Sequence, residues 1–330
     1  MSLTPTVYKS SDPGAPLLSG DPGALVALLD LLLVDGYGSG TNRKPGMGWT
    51  KAFTGTNVRA YRNSVLNGTG YYLRVDDTAQ RSALVRGYSS MTDIDTGTDA
   101  TPSVALKAAG SRWEKSFVAS SEGRAWVAVG NEKFFYLFID TYNAFASYAA
   151  ASMHPHYAGD ISSLKPGDRH NFVVSYKGSD TEASNTIGYG LRCVSTMNSN
   201  PSSDTTTYCF LARTSQGVPG SLRCNLYADG QTLTRGFGMD NNFPPYPYPV
   251  NNGLLYAPVV LLEAAMMPRG FMPGLYAPLH RRPFPDMSVL RDVAGFAPGT
   301  ELLAKTYQSE QVSPNESYMG QVLIDISSEW

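Results

Sequence analysis

Charge is scarce in this sequence. Only 16% of its 330 residues are Asp, Glu, Lys or Arg, against about 25% in an ordinary soluble domain. The formal net charge is −2, so no global basic character recommends nucleic acid or an anionic membrane as a partner. A disordered chain needs low hydrophobicity with high net charge, and 42% hydrophobic residues exclude that class. Cysteine is rare: Cys193, Cys209 and Cys224 occur without Cys-x-x-Cys spacing. They fall in strand-like phrases such as Thr-Tyr-Cys-Phe-Leu, which predicts free core thiols in a protein folded in a reducing cytosol. The longest apolar run, residues 25–34, is broken by Asp30 and is shorter than the roughly 20 residues that span a bilayer. The opening Met1-Ser-Leu-Thr-Pro-Thr-Val-Tyr8 lacks the basic and then apolar stretch of a secretory signal. No membrane segment is expected.

Turn formers and tyrosine are plentiful, with 32 Gly, 22 Pro and 20 Tyr, and this balance suits strands joined by turns. One helix stands out over 21–36. Asp21 is placed to cap it, Pro22 to fill its first position and Gly36 to stop it. Leucines and valines cover nearly every face, so the helix is either buried all round or wedged between partners. Under the second reading Leu25, Leu28 and Leu32 are interface residues. Strands are predicted at 71–75, 83–88, 124–129, 133–139, 171–176, 187–194, 207–212, 221–227 and 254–262, with a hairpin turn at Gly130-Asn131. Residues 196–207 read as a long surface loop, and the Pro-rich run 243–250 as extended chain. The fold class is therefore mainly β: an antiparallel β-sandwich or barrel-like core, one N-terminal apolar helix and long Pro/Gly-rich loops. Residues 1–48 form an arm and helix, and 49–330 the β-rich core, with a further division allowed near 196–206.

Catalytic and metal patterns were weighed against structural ones. His154-Pro-His156 could hold a metal with Asp160, Asp168 and His170, but an exposed loop pair is the preferred reading. Asp93-Ile-Asp95-Thr-Gly97-Thr-Asp99 lacks the closing Glu of a calcium loop and reads as a turn. The glycines between Gly36 and Gly48 follow a helix instead of preceding one, and Lys44 is followed by Pro45, so no phosphate loop is present. No Gly-x-Ser-x-Gly elbow occurs. Asp140, Asp160, Asp168 and Asp180 could supply a glycosidase pair, whose carboxylates must stand about 5–10 Å apart, but acids at β turns are commonplace. No enzyme, cofactor or metal is expected.

A charge asymmetry is sharper. No acid lies between Asp35 and Asp76, yet Arg43, Lys44, Lys51, Arg59, Arg62 and Arg74 do, interleaved with Tyr37, Trp49, Phe53 and Tyr61. Arg43, Lys44, Lys51, Arg59 and Arg62 are expected to face an acidic protein neighbour, with a solvated face as the alternative and nucleic acid the weaker option.

Several phrases together resemble virion structural proteins of tailed bacteriophages. They are 7–16 (Val-Tyr-Lys-Ser-Ser-Asp-Pro-Gly-Ala-Pro), 33–38 (Leu-Val-Asp-Gly-Tyr-Gly) and 48–57 (Gly-Trp-Thr-Lys-Ala-Phe-Thr-Gly-Thr-Asn). Three more are 158–168 (Ala-Gly-Asp-Ile-Ser-Ser-Leu-Lys-Pro-Gly-Asp), 269–280 (Arg-Gly-Phe-Met-Pro-Gly-Leu-Tyr-Ala-Pro-Leu-His) and 322–330 (Val-Leu-Ile-Asp-Ile-Ser-Ser-Glu-Trp). The resemblance covers most of the chain and carries no active site. It implies a non-enzymatic particle component of the tail or baseplate, with a head or neck position open. Such a protein is made in the host cytoplasm, sits in the virion, and contacts other virion proteins and copies of itself. The alternative is a host-surface glycan-binding module, supported by Trp49, Trp113, Trp126 and the Tyr-Pro run. A glycan-cleaving tail enzyme is the third reading.

Overall fold

The structure is a computed structural model that describes residues 3–141, 153–175, 209–227, 246–263, 267–280, 284–313 and 316–330. The expected strand 187–194, the loop 196–207 with its nearby division, Cys193, Asp180 and residues 243–245 lie outside the described residues. In chain order the first strands are β1 (Thr6–Lys9), β2 (Thr50–Gly55), β3 (Val58–Arg62), β4 (Tyr72–Asp76), β5 (Ser82–Tyr88), β6 (Ser90–Met91) and β7 (Gly97–Thr98). Next come β8 (Ser111–Glu114), β9 (Trp126–Gly130), β10 (Phe134–Asp140), β11 (Met153–Asp160), β12 (Ser162–Ser163), β13 (Phe172–Ser175) and β14 (Cys209–Arg213). The last are β15 (Pro219–Tyr227), β16 (Tyr256–Glu263), β17 (Met267–Pro278), β18 (Val289–Arg291), β19 (Glu301–Ser313) and β20 (Glu316–Asp325). The described chain is mainly β, and its ladders are antiparallel.

The long sheet runs β1-β9-β10-β11-β13-β14-β15-β16-β17-β20-β19-β18, with β12 added on β17. A second sheet runs β2-β3-β4-β5-β8, and β6 and β7 make a small hairpin. The central strand β10 reads Phe-Phe-Tyr-Leu-Phe-Ile, an apolar run without alternation, because both of its faces are covered. Phe134, Tyr136 and Phe138 point into one cluster, shared with β16, β17, β19 and β20. Phe135, Leu137 and Ile139 point into the other, shared with the five-stranded sheet and the N-terminal segment. Each fully buried side chain of this kind contributes about 1.5–3 kcal/mol. Within β15 the ladder changes partner: the part up to Cys224 pairs with β14, and Asn225 onward pairs with β16.

Residues 3–48 are part of this architecture and not a separate arm. Strand β1 pairs with β9, and Tyr8, Leu18 and Tyr37 share a hydrophobic cluster with Trp49, Leu73 and Trp113. The helical run is shorter than the sequence suggests. Helix α1 spans Ala24–Leu29 and continues as a π-type turn over Asp30–Asp35. Asp21 does not cap it; its side chain instead accepts a hydrogen bond from Ser19 Oγ at 3.0 Å. The cap comes from Asp77, whose Oδ2 accepts the backbone N–H groups of Leu25 at 2.7 Å and Val26 at 3.3 Å. At the other end Gly36 stops the turn at φ 71°, and a Cβ there would lie 2.2 Å from the Lys44 carbonyl oxygen. Gly46 is equally constrained, since its Cβ would lie 2.2 Å from the Val34 oxygen. The glycine-rich stretch thus lets the chain pass close against the helix end.

Three strand regions escape the sequence rules. Strand β17 carries Pro268 and Pro273 beside or within its register shifts against β16, and Pro278 at its end. The hairpin of β2 and β3 turns through Thr56-Asn57, with Asn57 at φ 56°. The β19–β20 hairpin has polar Gln308, Ser309, Glu310 and Gln311 where an apolar alternation would be sought. In the other direction, 248–253 is a turn closed by hydrogen bonds between Tyr248 and both Asn252 and Gly253, so the end of the 243–250 run turns instead of staying extended.

Candidate functional site

The expected interface residues are not found on a common free face. Leu25, Leu28 and Leu32 are fully buried within the chain, so a partner cannot touch them in this arrangement. The cations are largely satisfied at home. Lys44 Nζ meets Asp12 Oδ2 at 2.6 Å, and Lys51 Nζ meets Asp30 Oδ2 at 3.0 Å. Arg59 Nε donates to Asp30 Oδ2 at 3.3 Å, and Arg74 Nη2 to Asp95 Oδ1 at 2.7 Å. Arg43 donates to the Asp35 carbonyl oxygen at 2.5 Å; Arg62 donates to that of Gly70 at 2.8 Å and lies over the Tyr72 ring. Tertiary structure thus brings acids to Lys44, Lys51, Arg59 and Arg74, whereas Arg43 and Arg62 meet carbonyl oxygens.

Other candidates are also repositioned. His154 and His156 lie on β11, buried, with ring centroids 6.4 Å apart. His156 stacks on Trp113 at 4.8 Å, and its Nε2 lies 3.1 Å from the Glu114 carbonyl oxygen. The expected exposed loop is therefore an inner strand. Pro155 lies opposite Phe138 in the ladder with β10, and among the described residues β13 pairs with β11 at 158–160. Among the described residues no three His, Cys, Asp or Glu side chains gather as metal ligands, and no helix is long and apolar enough to cross a membrane. Trp49, Trp113 and Trp126 are buried, with indole N–H groups donating to the carbonyl oxygens of Asn131, Ser175 and Pro16. They form no sugar-binding platform. Cys209 and Cys224 are buried and directly opposite each other on β14 and β15.

Among the described residues a cleft of about 500 Å³ lies between the β3–β4 loop and the segment joining β12 to β13. Val65, Leu66 and Asn67 line one wall, and Arg169 and Asn171 the other. Lys133, from the β9–β10 hairpin, and buried Asp160, from the end of β11, complete it. Two of the four acids singled out in the sequence, Asp160 and Asp168, therefore share one cleft. Both are committed to holding its walls. Asp160 Oδ2 accepts Thr69 N–H at 2.7 Å and its Oδ1 accepts Thr69 Oγ1 at 2.6 Å. Asp168 accepts Arg269 Nε at 2.8 Å, Arg269 Nη2 at 3.0 Å, Ser163 Oγ at 2.7 Å and His170 N–H at 3.0 Å. Arg269 is itself buried on β17 and also pairs with Glu263. Nearby, Tyr71 Oη lies 2.7 Å from His170 Nδ1; burial and then Arg213 lower the His170 pKa, which suits a neutral ring accepting the phenol proton.

Burial pushes the Asp160 carboxyl from 3.8 up to about 6, against the opposing hydrogen bonds from Thr69 and Asn63. The folded chain then holds a proton that the unfolded chain releases between about pH 4 and 6, so stability falls as pH rises through that window. The whole effect is about 3 kcal/mol, at 1.36 kcal/mol per unit of pKa difference. Asp160→Asn imitates the protonated form. It is expected to flatten the pH dependence between 4 and 6 and to match or exceed the parent's stability at pH 8 in urea unfolding. Marked destabilisation at pH 8 would show that Thr69 requires the ionised carboxylate.

The cleft was reachable in part from sequence, because the phrase 158–168 holds both acids. Lys133, Arg169, Asn171 and Arg269 carried no local signal. They meet only because β9–β10, β11 and β17 converge. Comparison of the chain with protein-family models and with curated proteins finds no match.

Proposed function

We propose that this chain is a non-enzymatic structural subunit of a tailed-phage virion, of the tail or baseplate, built on a layered, sandwich-like β core. Its expected partners are other virion proteins and further copies of itself, and its place is the assembled particle. The observation that carries the non-enzymatic part is the state of the cleft acids. Asp160 is spent on Thr69, and Asp168 on Arg269, Ser163 and His170. A glycoside hydrolase needs one carboxyl free to give a proton and a second carboxylate free to attack the sugar or to activate water, whereas these bind loops to the strands beneath.

The resemblance drawn from the sequence supports the virion part. Its phrases fall on framework: 48–57 includes the Trp49 anchor and β2, 158–168 the cleft wall, 269–280 most of β17, and 322–330 the end of β20. The burial of Trp49, Trp113 and Trp126 removes the main support for a tryptophan-lined glycan-binding module. The test is genetic and biochemical. A stop codon in the gene should abolish complete particles, and the chain should sediment with particles purified on a density gradient. Complete particles formed without it, with the chain left in the soluble fraction, would overturn the reading.

A further inference from the structure

His280, just past the end of β17, ties down the chain that leads into β16. Its ring is fully buried, and its Nε2 lies 2.7 Å from the backbone nitrogen of Leu255. A backbone N–H can only donate, so Nε2 keeps its lone pair and the ring proton sits on Nδ1. Beside it the Leu279 N–H donates to the Leu255 carbonyl oxygen at 2.8 Å. Both polar groups of Leu255 are thus spent on residues 279 and 280. Tyr246 packs against the His280 ring with centroids 5.5 Å apart, and against Phe284 at 4.8 Å. Leu254 enters the apolar cluster of Leu302, Ala304 and Leu323. Beyond these contacts the segment turns on itself: Asn252 N–H donates to the Tyr248 oxygen, and Tyr248 N–H to that of Gly253. Val250, at the tip, is 80% exposed.

A proton on Nε2 ends this arrangement. The imidazolium has two N–H groups and no acceptor, so the Leu255 N–H would face another donor. A buried N–H without an acceptor is costly, and an uncompensated buried cation more so. Among the described residues, the surrounding elements bring the phenols of Tyr246, Tyr248 and Tyr256 and the ion pair of Asp286 with Lys305. The Asp286 carboxylate also accepts the Thr306 N–H, so it is committed to β19. Strand β20 brings Gln321, whose amide donates to the Phe284 carbonyl oxygen at 2.8 Å. Arg281 and Arg282, next in the chain, have the same sign as an imidazolium and oppose it.

We propose that His280 is an acid-sensitive latch: protonation of its ring frees Leu255 and lifts residues 246–254 from the cluster of Leu302, Ala304 and Leu323. The proposal does not rest on the virion reading, since every part of the latch belongs to one chain.

The test is hydrogen exchange on the full chain at pH 8 and pH 5, which bracket the ordinary imidazole titration near about 6.5. Peptides covering 246–256 are compared with strand β4, each corrected for the intrinsic pH dependence of exchange. Protection of 246–256 should fall at least tenfold at pH 5 while β4 keeps its own, because Asp160 stabilises the whole fold in acid. His280→Gln supplies an acceptor that does not titrate and should hold the segment equally at both pH values. The chain has four His, so nitrogen NMR on histidine-labelled protein reads the ring state directly. A bare Nε2 is expected at pH 8 and a protonated one at pH 5, and that spectrum decides should His280→Gln not fold. Equal protection of 246–256 at both pH values would overturn the proposal. So would a protonated Nε2 at pH 8, or the same acid loss in His280→Gln.

Discussion

Asp77→Ala should lower the melting temperature by about 10 °C. Asp77 and Lys115 are both completely buried, and the Lys115 ammonium bonds to Asp77 Oδ1 and to the Asp21 carbonyl oxygen. Asp77 Oδ2 caps α1 through Leu25 and Val26. Alanine therefore strands a cation in the core and frees two helix N–H groups in one step. Breaking one side of a buried ion pair costs about 3–5 kcal/mol, and in a chain this long each kcal/mol moves the midpoint by about 2–4 °C. The pair itself is not the source of stability, because desolvation opposes both charges: burial raises the Asp77 pKa and lowers that of Lys115. Asp77→Asn combined with Lys115→Met should accordingly recover much of the loss, since the amide oxygen still accepts the helix N–H groups. Calorimetry on the single and double variants checks both statements. A single variant within about 1 kcal/mol of the parent would mean that the core relaxes around Lys115.

Arg269→Leu should be nearly as damaging, and in a different place. The guanidinium meets Asp168 through two nitrogens, Glu263 through a third, and the His170 carbonyl oxygen at 3.0 Å. Leucine leaves the Asp168 carboxylate buried without its counter-charge, again at about 3–5 kcal/mol. It also releases the 162–170 segment from β17, where the Leu164 N–H still bonds to the Arg269 carbonyl oxygen at 2.9 Å. The expected results are a lower melting temperature and faster proteolysis within 162–170, while the β2–β5 sheet keeps its protection in hydrogen exchange. Arg269→Lys should recover little, because an ammonium cannot reproduce the forked contact. Equal proteolysis in parent and variant would show that the β12 pairing holds the segment without Arg269.

How far the chain could be read in advance depended on whether the cause was local. The β10 run, the strands 71–75 and 83–88 and the Gly130-Asn131 turn were legible because aromatic, β-branched and turn residues act over a few positions. The burial of Cys209 and Cys224 was legible for the same reason. The β17 strand was not, because Pro268 and Pro273 are admitted only by its register shifts. Composition and pattern by themselves determined a mainly β chain with scarce charge, while the apolar helix expected over 21–36 is in the structure a six-residue α-helix and a π-type turn. Tertiary structure decided where each charge went. Asp77 caps a helix 51 residues away, and Asp12, Asp30 and Asp95 answer cations of a segment that holds no acid. It also turned His154 and His156 inward and gathered Lys133, Asp160 and Arg169 around one cleft. The physical reason is range: propensity and patterning act within a turn or a strand, whereas desolvation and pairing of charge depend on which strands become neighbours, and that is settled only when the layers pack.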